Sequence, residues 1–173
     1  WTLRRLLGGP RPDLSGICLC EEEHMKPFTA AALIFLATAP AVAFAADPVS
    51  KKDGLAVSGY DTVAYFTEGK PAAGKPDFET EWRGAKWRFA TAANRDAFQA
   101  APEKYAPQYG GYCAWAVSRD YTYSADPLAW KIVDGKLYLN YNKDVQKKWA
   151  AELPTIIQKA DGNWPAVLAK PSK

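Results

Sequence analysis

Phe78-Glu79-Thr80-Glu81-Trp82-Arg83-Gly84-Ala85-Lys86-Trp87-Arg88-Phe89 is the stretch on which the fold turns. Aromatic and charged side chains largely alternate along 78–82 and again along 85–89, the period of a strand with one apolar and one solvated face. Arg83-Gly84 lies between the runs, where a tight turn belongs. The spacing predicts a β-hairpin with Phe78, Trp82, Trp87 and Phe89 facing a core. Arg83, Lys86, Arg88 and the nearby Arg95 then form a solvated face.

Outward from this hairpin the signals are shorter. Thr91 is placed to cap a helix over 92–101, with Ala97 and Phe98 inward and Pro102 after its end. Asp134-Gly135, a pair that tolerates positive φ at both positions, joins Trp130-Lys131-Ile132-Val133 to Lys136-Leu137-Tyr138-Leu139-Asn140 in a second hairpin. Val145, Trp149 and Leu153 recur at i, i+4 and i+8, the stripe of a helix, and Lys143, Lys147 and Lys148 lie off it as a solvated face. Pro154 breaks that helix. Its second piece carries Ile156, Ile157 and Ala160 before Asp161-Gly162-Asn163, and Trp164 pins the tail to the core. Upstream, residues 59–66 read as a turn feeding a short helix capped by Asp61, and 69–76 as a loop. The sum is an α+β fold: a small single domain with two β-hairpins packed against several short helices, over 59–164. A loose, polar N-terminal arm is expected over 46–58 and a C-terminal tail over 165–173.

Residues 25–45 carry a different pattern. Met25-Lys26-Pro27 is followed by an apolar run over 28–37 and by Ala43-Phe44-Ala45 before Ala46. A cationic start, a short apolar stretch and a small-x-small site predict a secretory signal peptide cleaved after Ala45, and hence a periplasmic or secreted protein. Residues 1–24, which close on Glu21-Glu22-Glu23-His24, read as upstream sequence translated ahead of Met25. Cleavage would leave no histidine, no methionine and one cysteine, Cys113. No apolar run reaches the 18 or so residues of a membrane-spanning helix. The net charge of +3 is small and dispersed, which argues against a nucleic-acid partner.

With histidine gone, nucleophile–base pairs built on imidazole are excluded. There is no GxxxxGK[ST], GxGxxG or HExxH, and the carboxylates are scattered. One segment could hold a reactive group: Gly110-Gly111-Tyr112-Cys113-Ala114-Trp115-Ala116-Val117. Its glycines permit close backbone approach, and the helix-forming run after them would place Cys113 in a first helical turn, where free N–H groups favour a thiolate. A lone cysteine between Tyr112 and Trp115 equally suits a small buried apolar residue. An odd cysteine in an oxidising compartment can also pair with another chain. Asp61 and Tyr112 are the residues that would orient a reactive Cys113, although a helix cap explains Asp61 more simply. Tyr60, Tyr65, Tyr105, Tyr109, Tyr112, Tyr121 and Tyr123 are dense enough either to line a pocket or to mark a core boundary.

Taken in order, residues 59–66, Trp87-Arg88-Phe89, Asn94-Arg95-Asp96-Ala97-Phe98 and Pro102-Glu103-Lys104-Tyr105 resemble the YHS domain. Residues 110–114 and 133–141 resemble its exported bacterial subgroup, which includes selenoproteins. The resemblance runs from about Gly59 to Trp164. YHS domains elsewhere accompany heavy-metal transporters and oxygenases, and their cysteine-rich versions are thought to bind metal ions. This sequence departs from those at Arg88-Phe89-Ala90-Thr91, which has no cysteine. The selenocysteine position of the exported subgroup matches Cys113, and so the resemblance implies a reactive thiol there.

Three functional expectations follow. The first is thiol-redox chemistry, a thiol-dependent oxidoreductase with Cys113 as nucleophile, the amides after Gly111 stabilising its thiolate, and an external thiol or redox partner protein resolving it. The second is a binding module for a soft metal ion such as copper, with Cys113 as ligand beside oxygen donors or a second subunit of a homodimer. The third, expected if Cys113 is buried and unreactive, is a non-catalytic ligand- or partner-binding domain.

Overall fold

The computed structural model describes residues 46–170. The expected upstream segment (1–24), the signal peptide (25–45) and the last three residues of the tail lie outside the described residues.

The first hairpin forms as the alternation requires. Strands β3 (Lys75–Trp82) and β4 (Ala85–Phe89) pair antiparallel with Thr80 opposite Trp87 and Trp82 opposite Ala85. Arg83 and Gly84 take φ of +50° and +70°, which matches the right-handed twist of the strands they join. Trp87 and Phe89 are buried, with Phe78 and Trp82 half-buried against them. Helix α2 (Ala92–Ala100) starts at Thr91, whose side chain accepts the Asn94 amide at 3.1 Å. Its Phe98 stacks on Trp87 with ring centroids 4.9 Å apart.

Residues 46–58 are not a loose arm. Strands β1 (Lys51–Lys52) and β2 (Leu55–Ala56) turn on Asp53-Gly54, and β2 runs parallel to β4 through Leu55 and Lys86. The sheet order is β1-β2-β4-β3. Val49, Ala56 and Val57 join the cluster that holds Trp87 and Phe89, and this apolar burial outweighs the entropy cost of ordering a polar-looking segment. The Ser50 amide donates to the Gly110 carbonyl at 2.8 Å, which ties the segment down again further along the chain.

The second hairpin is a separate two-stranded sheet of β5 (Asp126–Val133) and β6 (Lys136–Asn140), with Asp134 and Gly135 at φ of +49° and +73°. Strand β6 joins two apolar clusters: Leu137 and Leu139 pack with Trp87, whereas Tyr138 packs with Trp149. Trp149 belongs to α5 (Lys143–Ala151), which Asn142 caps by accepting the Val145 amide at 2.8 Å. The short helices are α1 (Ala64–Thr67), α3 (Pro102–Tyr105) and α4 (Ala114–Val117). Together the described residues form an α+β domain.

The last helix corrects a second expectation. Helix α6 (Thr155–Ala169) does not stop at Asp161-Gly162-Asn163, and most of the expected tail is helical. Tertiary contacts hold it through its weak residues. The Tyr109 hydroxyl donates to Asp161 Oδ1 at 2.8 Å, and Asn163 Nδ2 donates to the Val117 carbonyl at 3.1 Å. Trp164 packs on Tyr109 and Tyr112 as a pin, and Val167 is buried. These contacts offset the roughly 1 kcal/mol that Gly162 and the roughly 3 kcal/mol that Pro165 cost inside a helix.

A left-handed turn delivers the site. Tyr109, Gly110 and Gly111 take φ of +55°, +59° and +82°. A Cβ on Gly110 would lie 2.0 Å from the Pro48 carbonyl oxygen, so only glycine permits this approach. The chain leaves the turn alongside β6, where Cys113 bridges Leu139 in parallel.

Candidate functional site

Cys113 sits at the N-cap of α4, one residue before the first turn, with extended backbone angles. Its amide donates to the Tyr123 carbonyl at 2.9 Å, and the residue is 1% exposed. The Tyr141 amide donates to Sγ at 3.2 Å. On the other side Asn140 Oδ1 lies 4.0 Å from Sγ and accepts the Trp115 amide at 3.3 Å. Burial pushes the Cys113 thiol up, against the downward pull of the Ala116, Tyr141 and Trp115 amides. Burial prevails because α4 has only four residues and carries little dipole. At neutral pH the sulfur is therefore a shielded thiol, not the stabilised thiolate that the glycine-to-helix pattern led one to expect.

The two residues expected to orient Cys113 are engaged elsewhere. Asp61 is fully buried. Its Oδ1 accepts the Val63 and Ala64 amides at 2.9 and 3.2 Å, and its Oδ2 accepts the Ala90 amide at 2.8 Å and Asn94 Nδ2 at 2.7 Å. It closes the turn just ahead of α1, whose N-cap position is Val63 and carries no side-chain cap, and it clasps that turn to the β4–α2 connection. The Tyr112 hydroxyl donates to the Asp47 carbonyl at 3.1 Å, and burial, then Asp47, raises its pKa.

The actual neighbours of Cys113 come from further along the chain. A cleft of about 230 Å³ is lined by Cys113, Trp115, Ala116, Tyr121, Tyr123, Tyr141 and Val145. Tyr121, Tyr123 and Tyr141 are 45%, 51% and 47% exposed. Tyr123 and Tyr141 stand nearly perpendicular, with centroids 5.0 Å apart, and form one corner of the cleft. Arg119 places its guanidinium 4.5 Å from the Trp115 ring centre. The density of tyrosines up to Tyr123 was visible in the sequence. The arrival of Asn140 and Tyr141 from the end of β6 was not, because it depends on the pairing of Cys113 with Leu139.

A soft metal ion was the second expectation for Cys113, and the residues present do not fit it. Sγ has an amide proton and a distant carboxamide oxygen beside it. Among the described residues no group of three or more His, Cys, Asp or Glu could hold a metal ion. A single shielded sulfur lacks the further soft donors such an ion prefers.

The segment from Val63 to Tyr109 spans α1, the β3–β4 hairpin, α2 and α3. Residues 63–109 match the YHS domain. The YHS segment supplies the core cluster of Trp87, Phe89 and Phe98, and it ends four residues short of Cys113. Asp61, just ahead of the matched residues, clasps two parts of the YHS segment together. The cleft is built by the chain that follows. No curated protein and no solved structure matched the chain.

Proposed function

We propose that this is an exported protein of the YHS type that binds a small ligand in the tyrosine-rimmed cleft over Cys113. One observation carries the reading: three of the exposed large hydrophobic side chains, Tyr121, Tyr123 and Tyr141, meet Trp115 at one cleft whose inner wall is a buried thiol. Exposed apolar residues are ordinarily scattered, and their convergence on a concavity marks a binding surface. Cys113 contributes a small, polarisable, neutral wall. Export to the periplasm is supported by the signal-like pattern of 25–45. The test is native mass spectrometry after incubation with a periplasmic metabolite extract. The wild type should retain a small molecule that Tyr141→Ala releases. Retention of the same molecules by both proteins, or of none by either, would overturn the reading.

A second reading keeps the thiol-redox expectation. It is favoured by the amides of Ala116, Tyr141 and Trp115 around Sγ, which would stabilise an anionic sulfur once the rim opened. Cys113 as thiolate would attack hydrogen peroxide, forming an S–O bond and releasing hydroxide. An external thiol would then displace water from the sulfenic acid to give a mixed disulfide, and a second external thiol would release Cys113 reduced. Intact mass after dilute peroxide tests this: a 16 Da gain on the wild type, absent in Cys113→Ser, supports it, whereas an unchanged mass contradicts it.

A further inference from the structure

We infer that the cleft over Cys113 takes a quaternary ammonium group, the head of a small free molecule with a short polar tail. The inference rests on the ligand-cleft reading above and adds the class of ligand. Four of the seven lining residues are aromatic, and none of the seven carries a carboxylate or a cationic group. A primary ammonium placed there would lose its water and meet no carboxylate. A quaternary ammonium has no N–H to satisfy, and the negative faces of tyrosine and tryptophan rings attract its spread charge. The perpendicular Tyr123–Tyr141 pair gives the corner that such a cage needs. The volume of about 230 Å³ equals roughly eight waters at about 30 Å³ each, ample for a nitrogen and four carbons.

The tail has its own place. A second cavity shares Tyr121 and Tyr123 with the cleft and is lined beyond them by Ser50, Thr122, Ser124, Lys51 and Lys170. Both lysines are paired, Lys51 with Asp47 and Lys170 with Asp120, which leaves hydroxyls and balanced charge for a short polar tail.

Calorimetry with choline and with its neutral isostere 3,3-dimethylbutan-1-ol tests this directly. Choline should bind, the isostere at least tenfold more weakly, and ethanolamine not measurably. Tyr123→Phe should keep choline affinity within about threefold, while Tyr123→Ala and Tyr141→Ala should each weaken it at least tenfold. Both positions are about half exposed, so these variants should fold, and far-UV circular dichroism checks that they do. Equal affinity for the isostere would overturn the ammonium class and leave the cleft standing. Failure to bind choline would do the same if the extract experiment still yields a ligand, and if it yields none both readings fall. Co-sedimentation with phosphatidylcholine vesicles that Tyr123→Ala abolishes would reassign the cleft to a lipid headgroup and overturn the free-ligand proposal.

Discussion

Replacing Asp61 by asparagine should cost this domain about 2–4 kcal/mol without changing the chemistry of Cys113. The carboxylate is fully buried and accepts four hydrogen bonds of 2.7–3.2 Å, two on each oxygen. Asparagine keeps the shape and one oxygen, and that oxygen can still accept the Val63 and Ala64 amides. Its NH₂ would then face the Ala90 amide and Asn94 Nδ2, both donors. Asn94 can rotate to present its oxygen, but the Ala90 amide cannot. One buried donor is left without an acceptor, at about 1–3 kcal/mol, and the remaining bonds lose their charge assistance, at about 1 kcal/mol together. Asp61→Ala leaves all four donors stranded and should cost more, about 4–6 kcal/mol, much of the stability of a small domain. The assay is urea unfolding followed by tryptophan fluorescence, with Cys113 alkylation measured separately in the absence of urea. The urea midpoint should fall with little change in slope. A loss below about 1 kcal/mol would refute the clasp. So would a tenfold change in native-state alkylation with stability intact, because Asp61 would then act on the cysteine.

Three further outcomes follow from the same contacts. Gly110→Ala, with φ of +59° and a Cβ 2.0 Å from the Pro48 oxygen, should lose at least about 2 kcal/mol and expose residues 48–50 to proteolysis; an unchanged melting temperature would contradict that packing. Stability should fall as pH rises past the ordinary tyrosine value near 10: burial raises Tyr65, Tyr109, Tyr112 and Cys113, and pushes Tyr138 up to about 12, so the unfolded chain loses its protons first. This stabilisation is complete below the unfolded value and is lost at up to about 1.4 kcal/mol per pH unit for each group still protonated only in the fold, and a flat urea midpoint to pH 11 would contradict it. Thr62→Val removes a buried hydroxyl that has no partner among the described residues and should be neutral or stabilising by about 0.5–1 kcal/mol; a loss above 1 kcal/mol would show that the hydroxyl is bonded.

Local chemistry made part of this fold legible. Arg83-Gly84 and Asp134-Gly135 both take the positive φ that a tight hairpin needs, and Thr91 caps α2 from its sequence position. Asp53-Gly54 carries the same signal and joins β1 to β2, but its two-residue strands are too short for any period to show. Their order comes from the parallel contact of Leu55 with Lys86 and from Val49 in the core, which no local pattern encodes. The continuation of α6 through Gly162 and Pro165 is a tertiary override of the same kind, held by Tyr109, Asn163 and Trp164. At the site, Cys113 was singled out by its glycines, but its protonation is decided by burial under tyrosines and by partners at Asn140 and Tyr141. Asp61 attracted attention as a carboxylate, and the fold uses it as a clasp between the turn ahead of α1 and the β4–α2 connection.

The most direct test of the account is the rate at which a small neutral reagent alkylates Cys113 in the folded protein, followed against pH. A shielded thiol on the inner wall of the cleft should react far more slowly at neutral pH than in the urea-unfolded chain. Its rate should still be climbing where an ordinary thiol has levelled off, and Tyr123→Ala should speed it. A fast rate that has already reached its plateau near neutral pH would mean an accessible thiolate, and the reading of Cys113 as the neutral wall of a ligand cleft would be wrong.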